Sequence, residues 1–178
     1  MPKKPVVRHE VVQPPDTSYR LIPLTQGQNA IVDTADYDWL MQWNWCAWWS
    51  KDSKSFYAER GEKHNGHKRT IYMHRTILEC GPNQETDHHD RNTLNNRRYN
   101  LRKATKSQNR NNQKIRSDNK SGYKGVSWDN RKNKWIAQIA IKKIHVHLGQ
   151  FISSEEAAYA YDEAAKKFHG EFAVLNFT

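Results

Sequence analysis

Residues 84–109 read QETDHHDRNTLNNRRYNLRKATKSQN, and the fold of the central part of the chain follows from this stretch. Residues 84–90, which include Asp87-His88-His89-Asp90, are followed by turn-forming residues, which predicts a polar loop. Residues 100–103 have the composition of a short strand. Thr105-Lys106-Ser107-Gln108 matches a capping box, which predicts that a helix begins there and carries Asn109.

Two further short elements are predicted before this stretch. Residues 70–73 suit a strand, and residues 74–80, which Gly81 follows, suit a short helix. Apart from this short helix, the predicted order through the middle of the chain is strand, loop, strand and helix. Within this order, His74 is expected to lie on a buried face and to have a structural role.

Three side chains of the central stretch have the chemistry needed to hydrolyse a phosphodiester. Such hydrolysis requires a nucleophilic water, a base that takes its proton, and positive charge near the oxygens that become negative. Asp87 offers a carboxylate oxygen and Asn109 an amide oxygen, which together suit Mg²⁺ or Mn²⁺. On an extended strand His88 would point away from Asp87, and an imidazole with a pKa of about 6.5 suits general-base work. His89 is the alternative base.

The chain has a formal net charge of +10, and most of the excess lies between residues 68 and 120. The bases there are interleaved with structured elements, which favours a phosphate-facing surface over a solvated face or a disordered linker. We therefore expect double-stranded DNA as the main partner, with DNA contacts from Arg97 and Arg102 among others.

Composition argues against a membrane protein and against a secreted one. The sequence has no apolar run of about 18 residues, and no apolar stretch follows the basic first residues. Cys46 and Cys80 have no spacing suited to a disulfide framework or a zinc knuckle. We expect an intracellular protein with reduced thiols and no structural zinc. A monomer is expected, with a dimer as the alternative.

Residues 18–70 predict a β-rich segment. Residues 19–24 and 29–32 are short apolar runs on either side of a glycine-containing turn, which is typical of a hairpin. Thr34 can cap a short helix that ends at Met41.

Two aromatic strands are predicted next, at residues 45–49 and 55–60, with a polar turn between them. Five of the seven tryptophans lie between Trp39 and Trp49. These rings are expected to fill the core of a small sheet, and stacking on unpaired bases is the alternative.

Residues 121–178 predict a three-stranded antiparallel sheet covered by one helix. The strands are expected at 123–128, 134–141 and 144–151. Ser153 and Glu156 form a second capping box. Apolar residues then recur at helical spacing, at Ala157, Tyr161, Ala164 and Phe168. This stripe is expected to pack on one sheet face and to leave the other face free.

A dense set of motif residues lies between about 70 and 112: His74-Arg75, Asp87-His88-His89-Asp90, Leu94-Asn95-Asn96-Arg97, Asn100-Leu101-Arg102 and Gln108-Asn109. This set resembles the HNH endonuclease family. The resemblance implies a ββα-metal fold with His88 as general base and with Asp87 and Asn109 as metal ligands. It also implies that Asn100 holds the loop and the histidine in place.

The last motif position differs from many members of that family, because Asn109 stands where they have histidine. An asparagine there is similar to phage homing endonucleases, some of which nick a single strand, so the number of strands cut is left open. The cysteine pairs that hold structural zinc in the family are absent from this sequence.

A second resemblance covers almost all of residues 121–178. Its motifs are Ser121-Gly122-Tyr123-Lys124-Gly125-Val126, residues 134–139, His147-Leu148-Gly149-Gln150-Phe151 and residues 157–177. They resemble the plant-type Apetala-two (ethylene-response-factor) DNA-binding domain, whose sheet enters the major groove. Matched by position, this implies DNA contacts from Lys124, Ser127, Arg131, Gln138, His145 and His147. Ser127, Ala140, His145 and His147 replace family arginines, so the plant target sequence cannot be transferred.

These observations predict an α+β protein. A β-rich segment and a ββα-metal HNH nuclease core span residues 18–114, a basic linker spans 115–120, and an Apetala-two-like domain spans 121–178. The expected function is site-specific DNA hydrolysis of the phage or mobile-intron homing type, in a bacterial or phage-infected cell. The alternatives are a non-catalytic sequence-specific DNA-binding regulator and an RNA-directed nuclease or RNA-binding protein.

Overall fold

The computed structural model describes residues 8–113, 115, 118–142 and 144–177. The chain divides into two compact units, with the boundary between Ala104 and Thr105. Both units combine strands with short helices, which agrees with the predicted mixture of α and β elements. The predicted linker contains residues 116 and 117, which lie outside the described residues. Among the residues described, no helix has the length and apolar character needed to cross a membrane.

The first unit begins with the predicted hairpin. Strands β1 (Tyr19–Pro23) and β2 (Asn29–Asp33) pair antiparallel. Gln26 and Gly27 turn the chain between them with φ angles of 57° and 66°, in the left-handed region that glycine adopts most easily. Helix α1 (Thr34–Leu40) follows β2 directly.

The start of α1 differs in detail from the prediction. Asp33, and not Thr34, occupies the N-cap position, and its side chain makes no cap hydrogen bond. The Thr34 hydroxyl donates instead to the carbonyl of Thr17. The carboxylate of Asp33 is used elsewhere, because it accepts hydrogen bonds from Arg97 and Arg98.

Three antiparallel strands form the second sheet, in the order β3 (Cys46–Ser50), β4 (Ser55–His64) and β5 (His67–Tyr72). The first two contain the predicted aromatic strands, and β5 begins earlier than the strand predicted at 70–73. One face of this sheet packs into the core of the first unit, where Ala58 is buried.

The tryptophans divide between the core and the surface. Trp45 is fully buried and its indole N–H donates to the carbonyl of Leu40 at 2.8 Å, as expected of a core residue. Trp48 and Trp49 are 43% and 45% exposed, so the prediction of a core role is wrong for these two. They lie on β3, an edge strand, where both alternating side chains can reach solvent.

Helix α2 (Met73–Ile77) is shorter than the helix predicted at 74–80. Met73 and Ile77 are buried, which fixes the helix against the core. The left-handed residue after the helix is Glu79, with a φ of 51°, and not Gly81 as predicted.

Strands β6 (Glu85–His88) and β7 (Leu101–Ala104) form a separate two-stranded antiparallel sheet. The prediction of loop structure over residues 84–90 is therefore wrong for the residues of β6. Local composition hides this strand, because Glu and Asp disfavour strands. Cross-strand pairing, with Asp87 opposite Arg102, stabilises it instead.

The second unit contains the elements α3 (Lys106–Asn111), β8 (Val126–Asp129), β9 (Lys134–Ile141), β10 (Ile144–Phe151) and α4 (Ser154–His169), followed by a 3₁₀ turn at Gly170–Phe172. The predicted three-stranded antiparallel sheet is confirmed, with β9 in the centre. The capping box at the start of α3 is also confirmed, because Thr105 and Gln108 exchange hydrogen bonds in both directions.

Helix α4 covers one face of this sheet, as predicted. Ala137 and Ile139 of β9 are buried beneath it, together with Tyr161 of the helix. Phe168 is 48% exposed, so the apolar stripe does not extend to this residue. Ser153 caps the helix by accepting a hydrogen bond from the backbone N–H of Glu156 at 3.1 Å.

Helix α3 belongs to the second compact unit, whereas the sequence placed it in the domain that ends at residue 114. The Lys124 ammonium donates to the carbonyls of Asn111 and Gln113, at 2.5 and 2.7 Å. Helix α3 also contacts the 3₁₀ turn that follows α4. These contacts connect the end of α3 to the sheet-and-helix fold.

Replacement of Gly125 by alanine is expected to destabilise the second unit. A Cβ at this position would lie 2.0 Å from Cδ2 of Tyr161, and the φ of +75° is itself strained for alanine. Gly122 has a φ of +77° but nothing within 4 Å of its Cβ position. We expect Gly125→Ala to lower the free energy of unfolding by about 3 kcal/mol and Gly122→Ala by about 1 kcal/mol. Urea denaturation of both variants measures this, and equal losses would contradict the packing described.

Candidate active site and nucleic-acid interface

The side chain of Asp87 is buried and ion-paired across the β6–β7 sheet. Arg102 lies opposite it in register and donates two hydrogen bonds to its Oδ2, from Nε at 2.8 Å and from a terminal nitrogen at 2.7 Å. The side chains of Asp87 and Arg102 are 5% and 15% exposed. The pair offsets part of the cost of burying the carboxylate and holds it in one orientation.

His88 is also buried, on the opposite face of the same strand. It lies opposite Leu101, a residue of the first unit's core. Burial lowers the pKa of His88 below its ordinary value, and a hydrogen bond with the Asn96 side chain partly offsets this effect. The imidazole is therefore neutral at neutral pH, which is the form that can accept a proton.

The rings of His74 and Tyr57 contact the imidazole of His88. The ring of His74 lies 5.1 Å from it and that of Tyr57 lies 6.3 Å from it, both edge-on. His74 is in turn stacked on Tyr72 at 5.5 Å. Burial lowers the pKa of His74 well below its ordinary value, and the neighbouring His88 acts in the same direction. This position agrees with the structural role expected of His74.

Asn100 connects the two ends of the loop that joins β6 to β7. Its side-chain amide donates to the carbonyl of Asn95 at 2.8 Å, and its Oδ1 accepts from the backbone N–H of Asp90 at 2.9 Å. Its own carbonyl accepts from the N–H of His89 at 2.8 Å. Asn100 is buried, whereas His89 is exposed. These bonds fix the loop directly after His88.

The middle of this loop is anchored to the N-terminal β-rich segment. The backbone N–H of Ile31 donates to the carbonyl of Leu94 at 2.8 Å, and the N–H of Asn96 donates to the carbonyl of Ile31 at 2.7 Å. The Thr93 hydroxyl donates to the carbonyl of Phe56 on β4. Strands β2 and β4 therefore position the loop.

Two arginines attach the end of the loop to the last residue of β2 and to α1. Arg97 donates from Nε to Asp33 at 2.8 Å. Arg98 donates from Nε and a terminal nitrogen to the two carboxylate oxygens of Asp36, at 2.8 and 2.7 Å. Asp36 is buried, so this bidentate pair is of the stronger kind. Arg97 and Arg102, both predicted to contact DNA, each pair with a carboxylate inside the first unit.

The two predicted metal ligands belong to different compact units. Asp87 lies in the first unit, and Asn109 lies half-buried on α3 in the second. Across the described part of the chain, no group of three or more histidine, cysteine, aspartate or glutamate residues is arranged to hold a metal ion.

The sheet face opposite α4 carries most of the side chains predicted to contact DNA. Strand alternation places Gln138 on this face between the buried Ala137 and Ile139. His147 lies opposite Gln138 in register. The predicted residues that are exposed in the second unit are Ser127, Arg131, Gln138, His145 and His147. We call the outward side chains Ser127, Gln138, His145 and His147 the reading face.

Arg131 and Lys124 have different environments. Arg131 lies in the turn between β8 and β9, and its side chain is 91% exposed. Lys124 is half-buried, and its ammonium binds the carbonyls at the end of α3. Lys124 thus has a structural role in addition to the DNA contact predicted for it.

Sequence reasoning missed the residues that hold the loop and surround His88. Tyr57 contacts His88, and Tyr72 contacts His74; both reach these rings only through sheet pairing, so their sequence positions gave no signal. For Asp36 the sequence predicts only a position within a short helix. Its partner Arg98 lies in a distant segment, and such long-range ion pairs depend on tertiary contact.

The three-stranded sheet with one covering helix has counterparts among known proteins. Residues 121–171 match the AP2 domain family. This match covers β8 to β10, all of α4 and part of the 3₁₀ turn. It accounts for the second unit from its sheet onward and leaves the first unit unassigned.

Two plant proteins show similarity over a length slightly greater than that of the AP2 match. The dehydration-responsive element-binding protein 2E of Oryza sativa subsp. japonica is 44% identical over 59 residues, which cover 30% of this chain and 17% of that protein. The AP2/ERF and B3 domain-containing transcription repressor TEM1 of Arabidopsis thaliana is 47% identical over 57 residues, covering 32% and 16%.

A third relative is similar over a longer stretch. The uncharacterized HNH endonuclease L560 of Acanthamoeba polyphaga mimivirus is 39% identical over 90 residues, covering 51% of this chain and 46% of that protein. Residues 121–178 are too few to contain a match of this length, so the similarity extends into the chain before the AP2 domain. The chain spans less than half the length of each of these three relatives.

Acid is expected to destabilise the first unit through its buried histidines. Because burial lowers the pKa of His74, the unfolded chain binds a proton more readily than the folded protein below a pH of about 6.5. The contribution of the neutral histidine to the free energy of unfolding is therefore complete above that pH. The free energy of unfolding decreases as the pH falls, by up to about 1.4 kcal/mol per pH unit for each such histidine. His74→Phe keeps a ring at this position and removes one titrating group. The number of protons taken up on unfolding, given by the slope of the free energy of unfolding against pH, should therefore fall by up to one. Urea denaturation between pH 5 and pH 8 measures it, and an unchanged slope would contradict the assignment.

Proposed function

We propose that this protein is a metal-dependent DNA endonuclease whose AP2 domain selects the target site. The observation that carries the proposal is the arrangement at the end of β6. A buried carboxylate, Asp87, is followed by a buried neutral imidazole, His88, and Asn100 holds the loop that follows. Burying adjacent titratable groups costs free energy, which is typical of functional sites. The similarity to a viral HNH endonuclease supports this reading.

His88 is the proposed general base. Its lowered pKa keeps the ring unprotonated at neutral pH, so it can take a proton from the attacking water. Edge-on contacts with His74 and Tyr57 restrict the rotation of the ring. Since the base must be aligned with the water, this restriction favours the reaction.

Asp87 and Asn109 are the proposed protein ligands of one divalent cation, Mg²⁺ or Mn²⁺. Carboxylate and amide oxygens are donors that such hard cations prefer. A carboxylate has about four lone-pair sites, and both bonds from Arg102 fall on Oδ2 of Asp87. By donor chemistry, the Asp87 carboxylate and the Asn109 amide oxygen fit such a cation. When bound, the cation would supply positive charge at the phosphate oxygens.

The reading face is the proposed site of base contacts in the major groove. Glutamine can form two hydrogen bonds with adenine, and Gln138 is exposed at the centre of this face. The rice relative is named as an element-binding protein and the Arabidopsis relative as a transcription repressor, which supports a sequence-reading role. Arg131, in the turn between β8 and β9, is exposed to solvent and can contact a phosphate.

Tethering two modules lengthens the site that a small nuclease can select. Each module raises the effective concentration of the other at its part of the DNA. We propose a homing type of endonuclease on this basis, since such enzymes need long recognition sites. Arg97 and Arg102 are proposed to contact DNA while they remain paired with Asp33 and Asp87.

Cleavage of supercoiled plasmid tests the endonuclease directly. With Mg²⁺ or Mn²⁺ and DNA from around the gene's own locus, the wild-type protein is expected to nick or linearise the plasmid, and EDTA is expected to stop it. His88→Ala should lower the rate about 10²- to 10⁴-fold, since it removes the proposed base. His89→Ala, at the exposed neighbouring histidine, is the matched control and should retain most activity.

Intact plasmid with the wild-type protein under all metals and candidate targets would overturn this function. Equal losses in the His88 and His89 variants would instead overturn the assignment of the base.

Binding selection from a random duplex library tests the reading face. Gln138→Ala is expected to weaken binding to the selected site by about 5- to 150-fold and to relax specificity at one base pair. Arg131→Gln should weaken binding to every sequence alike and reduce the slope of log affinity against log salt by about one. A Gln138 variant with unchanged specificity would contradict base contacts from this residue.

A non-catalytic, sequence-specific DNA-binding regulator is the second candidate. The AP2 match and the plant relatives favour it, because they concern a domain separate from Asp87 and His88. The two candidates differ in one outcome, since a regulator would select a duplex sequence without cleaving it. Competition between duplex DNA and RNA at fixed salt separates both from an RNA-directed protein.

A further inference from the structure

The outer face of the β3–β4–β5 sheet has an unusual composition. On β4, Ala58 points into the core, so strand alternation places Tyr57 and Lys63 on the outer face. Sheet register adds Trp48 opposite Tyr57 and Lys68 opposite Lys63. Tyr72 completes the set at the end of β5. We call Trp48, Tyr57, Tyr72, Lys63 and Lys68 the aromatic-basic face.

The aromatic part of this face leads to the candidate general base. Trp48 contacts Tyr57 and Tyr72 with ring centroids 6.2 and 6.3 Å apart, and Tyr57 contacts His88 at 6.3 Å. Trp48 is 43% exposed, so its ring surface is open to solvent. An exposed aromatic ring thus lies only two ring contacts from the imidazole that the proposed function uses.

The basic part lies at the far end of the β4–β5 hairpin. Lys63 and Lys68 are exposed and directly opposite each other, an arrangement that like charges disfavour. Glu59, on the same face, lowers the positive charge nearer the aromatic residues. At about 3.3 Å per residue, Lys63 lies roughly 20 Å along the strand from Tyr57. A polyanion bound at this end would relieve the repulsion between the lysines.

The chemistry of this face fits a nucleic-acid strand with an unpaired base. Its apolar side chains are aromatic rather than aliphatic, and aromatic rings stack on bases of any sequence. In a continuous duplex, neighbouring bases cover both ring faces of each base. A base that has left the stack exposes these ring faces, and the lysines can bind phosphates further along the strand.

We propose that the aromatic-basic face binds the DNA strand beside the scissile phosphate, with Trp48 stacked on an unpaired base and Lys63 and Lys68 on phosphates. This inference rests on the proposed DNA substrate. It adds a DNA-binding surface in the first unit, separate from the reading face. The enzyme would thereby favour DNA that is opened at the cleavage site.

Binding of two labelled DNA molecules to the full chain in EDTA tests this proposal. One is a fully paired duplex and the other has the same sequence with a short central bubble. The wild-type protein is expected to bind the bubble about fivefold more tightly or better. Trp48→Ala should remove this preference, and Trp48→Phe should retain part of it, because a ring is still present.

Trp49→Ala is the matched control. Trp49 is the next residue on β3 and is equally exposed, but it lies on the other face and contacts Phe56 at 4.9 Å. This variant should keep the bubble preference. Lys63→Gln and Lys68→Gln should each reduce the slope of log affinity against log salt concentration for bubble binding by about one. Urea denaturation establishes that each variant is folded, and the phenylalanine variant distinguishes lost stacking from lost structure.

Two results would overturn the proposal. One is a wild-type protein that binds both DNA molecules equally, and the other is an equal loss of preference in the Trp48 and Trp49 alanine variants. Plasmid cleavage is measured separately with Mg²⁺. If the protein shows a Trp48-dependent preference for the bubble but does not cleave plasmid, the proposed endonuclease function is wrong and the proposed DNA-binding surface is supported. If the protein cleaves plasmid but shows no preference for the bubble, the proposed DNA-binding surface is wrong and the endonuclease function is supported.

Discussion

The conformation of the loop between β6 and β7 depends on polar contacts with the rest of the first unit. Among the loop residues, only Leu94 packs against the hydrophobic core of that unit. A two-way exchange of backbone hydrogen bonds with Ile31 holds its middle, and the pair between Arg98 and Asp36 holds its end. Asn100 closes the loop on the residues directly after His88. Because buried polar groups are costly when they lose a partner, these contacts stabilise one loop conformation.

This constraint explains why a β-rich segment precedes the central motif. Two strands and a short helix alone have too little apolar surface to keep Asp87 and His88 out of water. The N-terminal sheets supply that surface, with Tyr57 of β4 in contact with His88 and Tyr72 of β5 in contact with the neighbouring His74. The AP2 domain has its own core beneath α4, so the proposed general base His88 and the reading face rest on different packing.

Much of the second unit could be predicted from its sequence, because alternation in β9 and the caps of α3 and α4 are local signals. The hairpin of β1 and β2 was also predictable from its turn. Strand β6 was not, since Asp87 and its neighbours favour loops and become extended only through pairing with Arg102. For the site, the loop contacts implied for Asn100 are present, whereas the burial of Asp87 and His88 was not predicted. The carboxylates that bind the loop arginines gave no local signal.

Titration of the isotope-labelled protein with Mn²⁺, followed by NMR, tests most directly whether Asp87 and Asn109 hold one divalent cation. Paramagnetic broadening should appear together at the backbone amides of Asp87 and His88 and at the side-chain amide of Asn109, at the same Mn²⁺ concentration. Excess Mg²⁺ should restore these signals, and Asp87→Asn should abolish the effect at all three. Broadening confined to only one of the two ligand positions, or present only at exposed carboxylates such as Glu163, would contradict a shared cation.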